Sequence, residues 1–338
     1  MNPTPEPLLS VVAPLFNEEG NVEPFVRAVS TTMNELGEAY EIILVDDGSS
    51  DNTWQRIRNL AHPHVWGLRF ARNFGHQAAL FAGMRAARGA AVITLDGDLQ
   101  HPPEKIPELV ELWRAGHRVV NTRRLDAEDT SGFKKLTSRW FYALFSRLTG
   151  VRMEAGSSDF RLLDRKPLDA LLSMRDADLF IRGQVGWLGF GPKTVSYQAA
   201  KRFSGTTKFS VKRMLRFALG AMLSFSLLPL RLGIWAGFIT SALALTELVY
   251  IVVRYSQGET VAGWASMMTV MSLMFAVLFV LLGIVGTYLG KIYEILKARP
   301  RFVVSEQTSP SSTGPETELG QPAGDERTAG AERTEGES

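Results

Sequence analysis

The stretch Asp96-Gly97-Asp98-Leu99-Gln100 gathers two carboxylates and a side-chain amide oxygen, all hard donors, into five consecutive residues. Such a set suits Mg²⁺ or Mn²⁺, which take one or two protein carboxylates and leave positions free for substrate phosphates. The same residues also make a solvated turn, because Asp and Gly are common turn formers. Their surroundings bear on the choice. The apolar run over residues 90–95 reads as a buried parallel strand, and Pro102-Pro103-Glu104 reads as a helix start. In an open α/β sheet, ligands bind beyond the carboxyl ends of the strands.

Three further strand ends carry polar clusters. A strand from Leu9 to Pro14 leads to Phe16, Asn17, Glu18 and Glu19, and Asn21 is placed to cap a helix reaching Leu36. A second strand over residues 41–45 ends in Asp46-Asp47-Gly48-Ser49-Ser50-Asp51, with Ser50 or Asp51 as the next helix cap. A turn with a cap needs only one of the paired carboxylates; the other is free to accept from a nucleobase N–H or a ribose hydroxyl. A third strand, 65–70, runs into Arg72-Asn73-Phe74-Gly75-His76. Strands alternating with helices indicate a parallel sheet with right-handed crossovers. There is no G-x-G-x-x-G and no Walker A motif, so a bound nucleotide is held by carboxylates and a metal.

Past a strand over residues 118–121 the chain carries Arg123, Arg124, Lys134 and Lys135, which form either a solvated helix face or a phosphate site. Ser158-Asp159-Phe160-Arg161-Leu162 supplies either a structural Asp–Arg pair or a carboxylate beside a reacting group.

Charge and hydropathy divide the chain of 338 residues, whose formal net charge is +2. Residues 305–338 hold eight acidic residues against Arg327 and Arg333, a net of −6, which leaves +8 on residues 1–304. This tail is rich in Ser, Thr, Gly, Pro and Glu and is expected to be disordered. Residues 179–246 contain no carboxylate and nine bases. Residues 201–230 alternate bases with apolar residues as interfacial helices do. The apolar stretches 231–254 and 264–290 are each long enough to cross a bilayer. Bases before a span point to anionic or phosphorylated lipids; nucleic acid is the other standard reading, and the adjoining spans argue against it. Lys291, Lys297, Arg299 and Arg301 follow the second span, so the positive-inside bias puts the 1–200 domain and both termini in the cytoplasm. Glu247 lies within the first span, where a carboxylate is costly unless it faces protein. Met1–Pro7 is polar and proline-rich, so no signal peptide is expected. There is no cysteine, which excludes disulfides and thiolate metal sites, and the five histidines lack zinc spacing.

Taken together, Pro14-Leu-Phe-Asn-Glu18, Val45-Asp-Asp-Gly-Ser-Ser-Asp-Asn-Thr53, Arg72-Asn-Phe-Gly75, Leu95-Asp-Gly-Asp-Leu-Gln-His-Pro-Pro-Glu104, Ser158-Asp-Phe-Arg-Leu162 and Arg202-Phe-Ser-Gly-Thr-Thr-Lys208 resemble the family-2 glycosyltransferases of GT-A fold. The resemblance is greatest to the polyprenyl-phosphate glycosyltransferases, the group of dolichol-phosphate mannose synthase and bacterial undecaprenyl-phosphate glucosyltransferases. It implies an α/β, mostly parallel GT-A sheet domain, interfacial helices and two transmembrane helices in the bacterial cytoplasmic membrane. Pro14, Phe16, Asn17, Glu18, Asp46, Asp47, Arg72, Gly75, Asp96 and Gly97 would then bind the donor nucleotide. Asp96, Asp98 and Gln100 would hold Mg²⁺ or Mn²⁺. Arg123, Arg124, Lys135, Ser138, Arg202 and Lys208 would meet the acceptor phosphate, with Asp98, Asp159 and Arg123 at the reacting centre. The implied partners are a nucleotide sugar, a polyprenyl phosphate, membrane lipids and further copies of the chain, as in a tetramer. Phe16 stands where Tyr is commoner, Asn121-Thr122 precede Arg123 in place of the usual pattern, and Lys135 replaces an Arg.

The implied reaction is inverting transfer of a hexose, from a donor such as UDP-glucose or alternatively GDP-mannose, to undecaprenyl phosphate. A phosphomonoester is largely dianionic near neutral pH. Asp159 is therefore expected to orient substrate, with base catalysis as the rival role. Two other readings are a processive polysaccharide synthase, which would carry a Q-x-x-R-W stretch not found here, and a non-enzymatic membrane scaffold, which would not need four converging polar strand ends.

Overall fold

The computed structural model describes residues 7–125, 157–174, 176, 179–198, 228–258 and 263–309. Lys134, Lys135, Ser138, Arg202, Lys208 and nearly all of the expected interfacial segment 201–230 lie outside those residues.

Eight strands form one sheet: β1 Leu9–Leu15, β2 Tyr40–Asp46, β3 Val65–Phe70, β4 Ala91–Thr94, β5 Val119–Leu125, β6 Ser157–Asp164, β7 Lys193–Gln198 and β8 Val304–Gln307. Their order is β7-β5-β6-β4-β1-β2-β3-β8. β1 pairs in parallel with both β2 and β4, and β2 with β3. β6 runs antiparallel between β4 and β5, and β8 runs antiparallel along β3. The order turns from leftward to rightward winding between β1 and β4. A reversal of that kind opens a crevice at the carboxyl ends, where Leu15 and Thr94 each deliver an acidic loop.

Successive side chains on a strand face opposite sides, and the core divides accordingly. Val11, Leu44 and Ile93 pack with helices α1 Val22–Leu36 and α2 Thr53–Arg58 and with the later helix α4 Ile106–Arg114. Val12, Ile43 and Val92 pack against α3 His76–Ala86, α5 Arg165–Ser173 and α6 Ile181–Trp187. Strands β1, β2 and β4 are buried along their whole length, which explains their unbroken apolar runs. α3 lies tight on the sheet: a Cβ on Gly83 would stand 2.3 Å from Val12 Cγ1. Asn21 does stand at the N-cap of α1, but its amide donates to Glu18 rather than capping. The cap bonds at α2 come from Asp51, whose Oδ1 accepts from Thr53 N.

Below the crevice, buried Glu41 accepts from Ser10 Oγ at 2.7 Å and Trp66 Nε1 at 3.0 Å, tying β1, β2 and β3 together. Arg88 adds Nη2 at 2.8 Å. Burial alone would raise the pKa of Glu41, but these donors outweigh it and lower it.

The expectation of disorder from Ser305 onward is corrected at its start. β8 covers the exposed edge of β3, which otherwise presents unpaired backbone groups. Glu306 accepts from Arg69 Nη1 at 2.6 Å and Trp54 Nε1 at 2.9 Å. Phe302 stacks on Phe70 with ring centroids 5.1 Å apart. Between α6 and β8 stand two apolar helices, α7 Leu228–Ser256 and α8 Trp264–Leu296, packed on each other. Their apolar segments Leu230–Ser256 and Met267–Leu296 have 27 and 30 residues. At 1.5 Å per residue these reach about 40 and 45 Å, enough for a hydrocarbon core of about 30 Å.

Replacing Glu41 by Ala leaves Trp66 Nε1–H without its buried acceptor and should cost about 2–3 kcal/mol, read as a lowered melting temperature of the purified chain with the sheet still formed by circular dichroism.

Candidate active site

Two cavities open at the crevice and share Gly75, His76 and Asp96. One, of about 350 Å³, is lined by Pro14, Phe16, Glu18, Asp47, Gly97 and Asp98 among others. The second, of about 670 Å³, is lined by Gln77, Asp159, Arg182 and Arg301 besides the shared residues.

The smaller cavity collects most of the residues assigned to a donor nucleotide. Asp47 is buried and clamps the loop after β3: its Oδ1 accepts from Phe74 N at 2.7 Å and its Oδ2 from Gly75 N at 2.9 Å. Gly48 makes this possible. Its φ is +70°, and a Cβ there would stand 2.4 Å from the carbonyl carbon of Arg72. Burial raises the pKa of Glu18 and of Asp47. Asp46 takes the structural half of the pair: fully buried, it accepts from Ser49 N at 3.0 Å and faces Arg69 Nε at 3.5 Å. Asn17, at φ +56°, accepts from Ser50 N and so fastens the β1 loop to the β2 loop. Arg72 lies over the Phe74 ring at 4.1 Å. Asp46, Asn17 and Arg72 thus shape the pocket without lining it.

Asp96 stands where the cavities meet. His76 Nε2 lies 2.8 Å from Asp96 Oδ1. Asp96 N–H donates to His101 Nδ1 at 2.9 Å, which leaves His101 Nε2 as the donor to Ser158 Oγ at 2.8 Å. Burial lowers the pKa of His101, keeping that neutral tautomer. Burial of Asp96 would raise its pKa, but the His76 hydrogen bond and both imidazoles more than offset this, so it remains a carboxylate. Leu99, at φ +58°, turns the chain so that Asp98 also faces the smaller cavity.

Gln100 stands differently from the expectation of a third metal ligand. Its amide nitrogen donates to Asp98 Oδ2 at 2.6 Å, and its oxygen lies 3.4 Å from Arg124 Nη1. Asp96 and Asp98 bring two carboxylates to one cavity, a set that fits a hard divalent cation completed by substrate phosphate and water. Arg123 is exposed on β5, 3.3 Å from Ser196 Oγ, and lines neither cavity.

Asp159 on β6 is almost wholly buried and bound at both oxygens by Arg182 Nε and Nη2, at 2.8 and 2.7 Å. Arg161 Nη2 adds a contact at 3.3 Å. Burial would raise the pKa of Asp159, but the Arg182 hydrogen bonds and charge, then the Arg161 charge, hold it far below the ordinary carboxylate range. Burial in turn lowers Arg161 to about 10. A carboxylate so held is a poor proton acceptor near neutral pH. Its work is to fix Arg182 in the cavity wall.

Residues 10–172 match the family model described as glycosyl transferase family 2. The uncharacterized glycosyltransferase YkcC of Bacillus subtilis (strain 168) is 35% identical over 300 residues, which cover 88% of this chain and 93% of that protein. The chain belongs to glycosyl transferase family 2. A prophage bactoprenol glucosyl transferase homolog of Escherichia coli (strain K12) is 33% identical over 88% of this chain and 98% of its own length. Among solved structures, the mannosyltransferase PcManGT from Pyrobaculum calidifontis in complex with GDP-Man and Mn²⁺ has a TM-score of 0.44 and 17% identity, over 66% of this chain and 64% of that one. As a family-2 glycosyltransferase the protein is an enzyme, and the crevice holding Asp96 is its candidate active site.

Sequence reasoning assigned no role to His76, His101, Gln77 or Arg182. His101 sits within Leu95–Glu104 and His76 at the end of the polar run after β3, so the loop after a strand was the signal for both. Arg182 was visible only as one base in a carboxylate-free stretch.

Asp159→Asn should leave Arg161 buried without its counter-charge and cost about 3–5 kcal/mol. The folded pKa of Asp159 is depressed, so its contribution is complete above the unfolded carboxylate value of about 3.9 and is lost as pH falls below it. Melting curves of the wild type should steepen in their fall below about pH 4, and those of Asp159→Asn should show less of that fall.

Proposed function

We propose that this glycosyltransferase moves a hexose from a nucleotide sugar, UDP-glucose in the first instance, to the phosphate of a membrane polyprenyl phosphate, undecaprenyl phosphate. The observation that carries the reading is the pair of cavities joined at Asp96. One is lined by acidic and apolar residues fit for a nucleoside, and the other has two arginines in its wall. The bactoprenol glucosyl transferase of Shigella phage SfII, 33% identical over 88% of this chain, supports the acceptor class.

The chain's own residues supply binding and alignment. Asp47, through the Phe74-Gly75 loop, shapes the nucleoside cavity. Asp96 and Asp98 would hold Mg²⁺ or Mn²⁺, which when bound neutralises a leaving diphosphate as a Lewis acid. Arg182 faces the shared space from the other side, fixed by Asp159. An incoming phosphate oxygen needs no strong base, so positioning and fixed positive charge do most of the work. Direct displacement at the sugar C1 inverts its configuration.

The topology supports a membrane hairpin. α7 and α8 stand between β7 and β8, both of which belong to one sheet. Among the described residues these two are the helices long and apolar enough to cross, and the bases after α8 favour the cytoplasmic side.

A panel of nucleotide sugars assayed with undecaprenyl phosphate and Mg²⁺ or Mn²⁺ tests the reading; transfer from UDP-glucose is expected. Asp98→Ala should lower kcat/KM on the order of a thousandfold, because a bound cation is worth several kcal/mol at a developing charge. Near-normal turnover of that variant in Mn²⁺ would defeat the metal assignment.

A further inference from the structure

Arg301 belongs, by sequence, to the bases that follow the second apolar helix, where its charge bears on membrane orientation. The structure puts it elsewhere. α8 ends at Leu296, and Ala298 takes a left-handed φ of +47°. That conformation is costly for a residue with a Cβ and persists only where the surroundings impose it. The chain reverses there, and β8 then holds it against β3.

Arg301 comes to line the larger cavity with Asp96, Asp159 and Arg182. Its Nη2 donates to the carbonyls of Met174 and Asp176 at 2.9 and 3.0 Å, and its guanidinium lies 4.9 Å from the Phe81 ring centre. Its Nη1 is buried and has no hydrogen-bond partner among the described residues. A buried guanidinium N–H left unpaired calls for an acceptor. Asp159 already serves Arg161 and Arg182, and the carboxylate whose charge reaches Arg301 is that of Asp176.

Resting on the functional reading above, we infer that Arg301 binds the phosphate of the lipid acceptor, so that the segment leaving the membrane supplies part of the acceptor site. An arginine fork matches phosphate oxygens in geometry as well as charge. A phosphate attached to a lipid stays close to the membrane surface, and Arg301 is five residues past the end of α8. The donor diphosphate is the other phosphate within reach, and kinetics separate the two.

The test uses the purified full-length chain, varying undecaprenyl phosphate at saturating nucleotide sugar and then the reverse. Arg301→Met should raise the KM for the lipid about tenfold or more, as loss of a charge-assisted hydrogen bond does, and leave that for the nucleotide sugar nearly unchanged. Arg301→Lys should fall between. Arg299→Gln, at the same membrane exit but outside the cavity lining, should match the wild type. Should Arg301→Met fail to fold, Arg301→Gln keeps amide donors for the Met174 and Asp176 carbonyls and carries the same expectation. Equal rises in both KM values, or a lipid KM unmoved in a folded variant, would overturn the inference. A wild-type chain that consumes nucleotide sugar without labelling polyprenyl phosphate would defeat the functional reading instead.

Discussion

Charge at the carboxyl edge of the sheet is organised by one buried contact, the double hydrogen bond between Asp159 and Arg182 with Arg161 behind it. Asp159 comes from β6, a strand antiparallel to its neighbours, and Arg182 from the first turn of α6. Together they fix a guanidinium opposite Asp96, whose carboxylate meets His76 and whose backbone N–H donates to His101. The crevice thus has a side fit for a cation and a side that is itself cationic. The proposed transfer brings two phosphate-bearing molecules together and needs both, because each must lose its repulsion for the other before the sugar can move.

The strand order makes this arrangement possible. β1 and β4 flank the reversal in winding, and their loops carry Glu18 and the Asp96-Gly97-Asp98 turn. On the far side of the sheet β8 closes the edge of β3 after the chain has passed through two long apolar helices. The catalytic sheet therefore has β8 on the other side of the two apolar helices in sequence. Whatever fixes the helices also fixes part of the site.

Much of this was legible in the residues. β1 to β4 are buried runs bounded by polar turns, and such strands announce themselves by composition. Asp47, Glu18, Asp96 and Asp98 were found because acidic residues at strand ends converge in any parallel sheet. What depended on pairing was not legible. Val304–Gln307 is too short and polar to be read as a strand, and only the edge of β3 with Arg69 and Trp54 gives it order. Gln100 has the right type and spacing for a ligand, yet the turn at Leu99 points its amide nitrogen at Asp98. Arg182 and Arg301 carry no local motif; each reaches the cavity wall only because of where distant segments place it.

On the proposed function, the two adjoining cavities hold donor and acceptor at once and the sugar passes directly between them. Initial rates measured over a grid of nucleotide sugar and polyprenyl phosphate concentrations decide this. Double-reciprocal lines that intersect, with the nucleoside diphosphate competing against the nucleotide sugar but not against the lipid, are the expected result. Parallel lines, the mark of a covalent intermediate whose first product leaves before the second substrate binds, would contradict it.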